Sequence, residues 1–275
     1  DITWEKTGKF NAGIDYSLLK GRLTGTVEYY YNKTSDMLSW FSLPPSFGYR
    51  GYYDNVGDMA NSGIEIDLRG DIIRTNDFTW SLHANLTSNH NEILELAEGN
   101  KSWYDEIGGY GYSSGSYFFQ EGTSAYSYWT KEYAGVDKQT GEAMWYKNVY
   151  ETDANGNQNY YTPDGQLLTA KDLETYTGEK HRKIVGREGT TTYNDADYYN
   201  VGDVMVDLYG GFGTSLTWKG FDFSADFQYQ IGGKVYDGTY AGLMNANNNG
   251  QAIHVDAMNS WSQTNSNSDI PRWQF

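Results

Sequence analysis

"GGFGTSLTWKGFDFSADFQYQIGG", residues 210–233, decides how this chain is read. From Phe221 onward every second residue is apolar or aromatic: Phe221, Phe223, Ala225, Phe227, Tyr229, Ile231. The residues between them are Asp222, Ser224, Asp226, Gln228 and Gln230. Alternation with a period of two over about ten residues marks a strand with one apolar and one polar face. Lys219-Gly220, just before it, reads as a tight hairpin turn. The open question is which face looks inward. In a soluble sandwich the apolar face is the core. In an outer-membrane barrel it touches lipid, and the polar face lines the lumen.

The pattern recurs along the chain. Residues 10–19 place Phe10, Ala12, Ile14, Tyr16 and Leu18 on one face, turn at Lys20-Gly21, and return over 22–34. Residues 63–73 set Ile64, Ile66, Leu68 and Ile72 against Glu65, Asp67, Arg69 and Asp71, turn near Thr75-Asn76-Asp77, and return over 78–89. Residues 126–136 and 143–150 flank "DKQTGE" as a weaker pair, and 203–218 with 221–231 form the last. The expectation is an all-β, antiparallel chain of about eight strands in four hairpins. Turns within a pair are short, whereas the segments after each pair (35–62, 90–125, 151–202 and 233 onward) are long. Transmembrane barrels alternate in this way because periplasmic turns are short and extracellular loops long. Tilted strands of ~10 residues cross a bilayer, and they are longer than the ~5–6 residues usual in globular sheets. Tyr29, Tyr30, Tyr31, Trp80, Trp218 and Tyr229 suit interfacial girdles. The apolar face is therefore read as turned to lipid, with Ile64, Ile66, Phe223 and Phe227 on it and Asp67, Arg69, Asp222 and Asp226 facing the lumen. A soluble carbohydrate-binding β-sandwich module and a passive porin-type barrel are the alternatives. Solubility without detergent would mark the first, and a plug domain upstream would rule out the second.

Composition bounds the function. The 275 residues carry 20 basic and 36 acidic side chains, a net charge of −16, which argues against a nucleic-acid partner. The one dense basic stretch, "EKHRKIVGR" at 179–187, is read as a solvated hairpin or loop. With no cysteine there are no disulfides and no thiolate zinc sites. No run of ~20 apolar residues is present, and no signal peptide precedes Asp1, so the chain is read as mature or partial. No enzyme is expected. "GYSSG" at 111–115 fits the Gly-x-Ser-x-Gly pattern but lacks the strand-to-helix turn that a nucleophile needs. His83, His90, His181 and His254 show no chelating spacing. "DANGNQ" carries Asp153, Asn155 and Asn157 at a spacing of two, a candidate for structural calcium weighed against plain Asn-Gly turn chemistry. No other cofactor is expected. Aromatic residues crowd two long loops: Phe41, Phe47, Tyr49 and Tyr52 in one, Trp103, Tyr104, Tyr110, Tyr112, Tyr117 and Phe118 in the other. Flat rings with polar edges pack on sugar faces or peptide side chains. They equally pack loops on one another or meet a partner. Residues 238–261 are read as holding a short helix.

Four segments resemble a known family. "DITWEKTGKFNAGIDYSLLKGRLTGTVEYYYNKTSDML" (1–38), "NVGDMANSGIEIDL" (55–68), "KEYAGVDKQTGEAMWY" (131–146) and "YGGFGTSLTWKGFDFSADFQYQIGGKVYD" (209–237) are similar, in order, to signatures of SusC/RagA-type TonB-dependent transporters of Bacteroidota. The resemblance implies part of a roughly 22-stranded barrel. Residues 1–275 would be a partial receptor barrel domain in which plug, signal peptide and C-terminal strands are absent. It also implies an outer-membrane location, energy through TonB by way of the plug, and a SusD-like surface lipoprotein as partner. The cargo would be an oligosaccharide or a peptide. The acidic balance ranks neutral oligosaccharide first and peptide second, unless basic residues such as Arg22, Arg69 or those at 180–183 line the path.

Overall fold

The structure is a computed structural model. It describes residues 2–42, 46, 48–97, 101–247 and 250–273, with the backbone alone for 39–42. The chain divides into two compact units, residues 1–101, 111–127 and 202–234 in the first, and 102–110, 128–201 and 235–275 in the second.

The first unit is built on six antiparallel strands: β1 (Lys6–Leu18), β2 (Leu23–Ser42), β3 (Gly51–Arg74), β4 (Phe78–Leu96), β5 (Val206–Trp218) and β6 (Phe221–Gly232). They lie in that order across one sheet. The tight turns fall where the sequence placed them. Lys219 and Gly220 both have positive φ (47° and 87°), the backbone twist that suits a two-residue hairpin.

The register settles the faces. Ile14, Val27, Ile66, Leu86, Gly210 and Tyr229 stand side by side across all six strands, and Tyr16, Gly25, Leu68, Ala84, Phe212 and Phe227 form the next row of that face. Between these rows, on the opposite face, run Asp15, Thr26, Asp67, Asn85, Gly211 and Gln228. Ile64, Ile66, Phe223 and Phe227 thus share one face, and Asp67, Arg69, Asp222 and Asp226 the other. Three bulky Tyr side chains lie over glycines directly across the ladder: Tyr16 over Gly25, Tyr30 over Gly63 and Tyr229 over Gly210. Tyr30 departs from the girdle expectation. It lies in the polar rows, where its hydroxyl donates to Asn89 Oδ1 (2.9 Å).

Two further expectations are revised. β2 and β3 do not end near residues 34 and 63 but run on for 20 and 24 residues in all, with register shifts after Thr34 and after Asp58. A bulge inserts a residue and reverses which face each later side chain takes, so a period-two reading loses phase there. The third hairpin does not join the long sheet. Tyr133–Val136 pairs with the start of Ala143–Tyr150 as expected, but the latter pairs onward with Ile184–Thr190, making a separate three-stranded sheet in the second unit. Six strands and three hairpins therefore make the long sheet, not eight and four.

The core of the first unit sits at the end of the sheet away from the tight turns, where Val56, Ala60, Ile93, Leu96 and Phe118 are buried. Asn91 fastens it. The Asn91 Oδ1 accepts from the Ala125 backbone N–H (2.8 Å), and its Nδ2 donates to Asn61 Oδ1 (2.8 Å). Nearer the turns the apolar face is uncovered: Ile14 is 70% exposed and Phe223 60%. The second unit has its own small core with Trp129, Val136, Leu168, Ala196 and Tyr199, and two short helices. Ala170–Thr175 is closed by a Thr169/Asp172 capping box, and Gly238–Leu243 lies in the segment expected to hold a helix.

Candidate functional site

The aromatic residues singled out in the sequence do not form one cluster. They divide between two clefts, one in each unit.

In the first unit Tyr112–Ser114 folds back on Tyr117–Phe119, with Tyr112 opposite Phe119 and their rings stacked at 4.6 Å. This hairpin closes one side of a cleft of about 640 Å³, with Tyr112, Tyr117 and Phe119 facing Met37, Met59 and Leu96. Burial raises the pKa of the Tyr112 phenol, so the ring meets the cleft as a neutral hydrogen-bonding group. Phe118 is a correction: it is 1% exposed and belongs to the core. In a hairpin, neighbouring residues face opposite ways, so Phe118 must turn inward if Tyr117 and Phe119 line the cleft. Ser113 of the "GYSSG" stretch lies opposite Phe118 on the hairpin, not on a strand-to-helix turn. Phe41 lies on β2 opposite Tyr52 of β3, and Tyr52 and Tyr49 are exposed. Phe47 lies outside the described residues.

The second unit holds a cleft of about 600 Å³, lined by Trp103, Asn148, Tyr161, His181, Arg182, Lys183 and Arg187 among others. The Trp103 indole is stacked on the His181 imidazole at 3.6 Å and 1° and is met edge-on by Tyr110 at 5.3 Å. The Tyr110 hydroxyl donates to Glu179 Oε2 (2.8 Å), and Tyr104 stands edge-on to Trp129. Asp105 organises the wall. Its Oδ1 accepts from Trp103 Nε1 (2.9 Å) and the Arg182 backbone N–H (2.9 Å), and its Oδ2 from Arg182 Nε (2.6 Å). The Arg182 guanidinium also lies 3.9 Å over the Tyr150 ring, and that of Arg187 lies 4.0 Å over Tyr199.

Burial first, then the nearby Asp197 carboxylate, push the Tyr199 phenol up to about 12. It therefore stays a neutral donor, and its hydroxyl reaches Asn148 Oδ1 (2.8 Å). That bond fixes the amide with its Nδ2 turned toward the Tyr150 hydroxyl. Among the described residues, the buried nitrogens Asn148 Nδ2 and His181 Nε2 make no hydrogen bond of good geometry, and Glu179 Oε2 stands 3.5 Å from the latter.

His181, Arg182 and Asn148 were missed as site residues. The 179–187 stretch is not simply a solvated loop: His181 is 5% exposed, and the rest continues into the strand Ile184–Thr190. The burial depends on Asp105, far away in sequence. Asp153, the calcium candidate, accepts from the backbone N–H groups of Asn155 (2.8 Å) and Asn157 (2.9 Å) and from Asn157 Nδ2 (3.0 Å), the geometry of a self-closed turn. Those bonds hold its carboxyl below the usual range. Among the described residues no three His, Asp or Glu side chains converge as a metal site.

Comparison with known proteins agrees with this architecture. Residues 1–148 match the family model described as TonB dependent receptor-like, beta-barrel. The chain is 29% identical over 272 residues to TonB-dependent receptor P3 of Formosa agariphila, covering 99% of this chain and 24% of that protein. It is 30% identical over 238 residues to TonB-dependent receptor SusC of Bacteroides thetaiotaomicron, covering 86% and 20%. Among solved structures it is similar to the RagAB peptide importer in its closed-closed state, with a TM-score of 0.69 and 27% identity over 99% of this chain and 26% of that one. The chain thus spans about a quarter of the length of the relatives it matches. By the match over more than half its residues, and by a sheet that continues that likeness through residue 232, the chain belongs to the TonB-dependent receptor β-barrel family.

Proposed function

We propose that this chain supplies part of the wall and outer loops of an outer-membrane importer, energised through TonB, that takes up an oligosaccharide or a peptide beneath a SusD-like surface lipoprotein. The observation that carries the reading is the six-strand apolar face. Rows such as Tyr16–Leu68–Phe212–Phe227 run uninterrupted across the sheet with large side chains left exposed, while the reverse face carries Asp15, Asp67 and an Asp226–His83 pair (2.9 Å). An apolar face of this breadth is stable only against lipid or another core, and a charged lumen face stays hydrated. The connectivity supports the orientation. All three short turns leave from one end of the sheet, and both long connections, 43–50 and 97–205, from the other. On this reading the long connections between the strands, with the Tyr112–Phe119 hairpin among them, are extracellular loops. There Tyr112, Tyr117, Trp103 and Tyr110 meet cargo or lid. The similar solved structure, a peptide importer, supports a peptide as cargo, and the acidic balance supports a neutral oligosaccharide.

Uptake by cells expressing the full-length protein tests the proposal. Radiolabelled cargo should accumulate only when TonB is present and the proton-motive force intact. Uptake that survives an uncoupler would instead favour the passive porin.

A further inference from the structure

Whole-chain charge favours a neutral cargo, but a site responds to its own lining. At the second unit's cleft Asp105 and Glu151 already accept hydrogen bonds, while the cations keep N–H donors beyond those they use. Asp105 already accepts three hydrogen bonds. Glu106 lies partly buried, and desolvation disfavours its charged form. Glu151, beside the cleft, accepts from the Tyr161 hydroxyl. Against these stand Arg182, Lys183 and Arg187 in a chain whose net charge is −16. Lys183 is held only at 3.6 Å by Glu151, with its side chain 63% exposed. Arg187 gives Nη1 to Glu132 (3.2 Å). A guanidinium carries five N–H donors and an ammonium three, so both keep donors to offer. Asn148 Nδ2 and His181 Nε2 are buried nitrogens of the same wall, the first turned toward the Tyr150 hydroxyl and the second without a hydrogen-bond partner among the described residues. Spare N–H donors on two cations beside an aromatic stack suit a planar acceptor with negative charge.

We infer that this cleft is a binding site for a carboxylate group of the imported molecule, with Arg187 and Lys183 pairing its oxygens and the Trp103–His181 stack flanking the moiety that bears it. The inference rests on the importer reading for its biological setting, but the binding chemistry is independent of it. A uronic-acid sugar and an acidic peptide side chain present the same group.

The test is calorimetric titration of the intact, full-length transporter in detergent with four ligands: a trigalacturonate, the matching neutral trisaccharide, a Glu-containing tetrapeptide and its Gln counterpart. Binding of a carboxylate ligand is expected, weakening with added salt. The double variant Lys183→Gln/Arg187→Gln should weaken it roughly tenfold or more, because charge-assisted hydrogen bonds are lost. Arg182 is left alone because it holds Asp105. Whichever acidic ligand shows this dependence identifies the source. Lys183→Gln alone, at an exposed side chain, guards against misfolding and should give a smaller loss in the same direction. Neutral ligands binding as tightly as acidic ones, acidic ligands not binding, or acidic binding unmoved by both variants would overturn the inference. Uptake measured in parallel separates the two readings: TonB-dependent uptake without carboxylate binding removes only this site, and carboxylate binding without energised uptake removes only the importer.

Discussion

Substituting Phe227 and its neighbour Asp226 by arginine puts the face assignment under its sharpest test. Phe227 is the seventh of the 12 residues of β6. At ~3.4 Å per residue and a tilt of ~40°, it lies ~18 Å from the Lys219-Gly220 turn, well inside an apolar band ~25 Å tall. Arginine on a lipid face costs about 2–4 kcal/mol near the midplane and about 0–1 near the interfaces. Phe227→Arg also removes the stack on Phe212 (5.2 Å, 19°), and such pairs contribute about 0.5–1.5 kcal/mol. Together the loss is about 3–5 kcal/mol. Asp226→Arg changes one residue over, on the polar face. It breaks the pair with His83, in which both side chains are well exposed, and exposed pairs contribute about 0–1 kcal/mol. Phe223→Arg, ~8 Å from the turn by the same count, lies about as near the midplane of that band but leaves the Phe212–Phe227 stack intact, so it should fall between them. The assay is urea titration of the full-length protein refolded into short-chain phosphatidylcholine vesicles, read by the gel shift between folded and unfolded barrel. The expected order of damage is Phe227→Arg, then Phe223→Arg, then Asp226→Arg. If Asp226→Arg lowers the urea midpoint as far as Phe227→Arg, the apolar face does not meet lipid.

Three further outcomes follow from the same geometry. Gly210→Ala should destabilise by about 1–3 kcal/mol in the same titration, since a Cβ there meets the Asn85 carbonyl and the Tyr229 hydroxyl, whereas Gly8→Ala, which faces open space, should change little. Burial raises the Glu106 carboxyl above its ordinary value, so the wild-type protein is favoured below the unfolded-state pKa and loses that advantage as pH rises through the folded one; Glu106→Gln should therefore raise the melting temperature at pH 7.5 relative to wild type and lose that gain near pH 4. Asp153→Ala should open the 153–158 turn to limited proteolysis, and calcium or a chelator should leave wild-type cleavage there unchanged, because the carboxylate already accepts three hydrogen bonds.

The barrel wall was legible because its physics is local. A strand with lipid on one side and water on the other needs contrast at every second position, and the residues from Phe221 to Ile231 keep that contrast without a break. The reading failed where the contrast stops. Past Thr34 and before Asn61 the strands continue without an apolar face to keep, and the bulges near Met37 and Met59 shift the phase. The 126–150 pair shows why alternation is insufficient: it reports that a strand has two faces, not which sheet it joins. Tyr30 breaks the alternation between Tyr29 and Tyr31, and it covers Gly63, a partner identified only by register. The second cleft lay further out of reach. Arg182 is ordered by Asp105, 77 residues earlier, and Tyr199 orients Asn148 from 51 residues later. No short window of sequence contains either pair.

The cleft and the sheet also show why a net charge is a poor guide to cargo. Screening at physiological ionic strength limits exposed charges to ~8 Å, so a ligand in the second unit's cleft does not feel −16 as a sum. It feels the groups that line its own surface. There Asp105 is shared between Trp103 and Arg182, while Lys183 and Arg187 retain unused donors. The chain's carboxylates are divided between the two units, and in the first Asp15, Glu28, Glu65 and Asp67 stand on the polar face of the long sheet. On the proposed reading they keep a lumen wall hydrated. An acidic wall and a donor-rich cleft are consistent in one importer if the cleft selects and the wall only conducts. On the proposed reading, a carboxylate held by two side-chain cations at the cleft leaves once those contacts are exchanged for water, and an acidic wall does not hold it again.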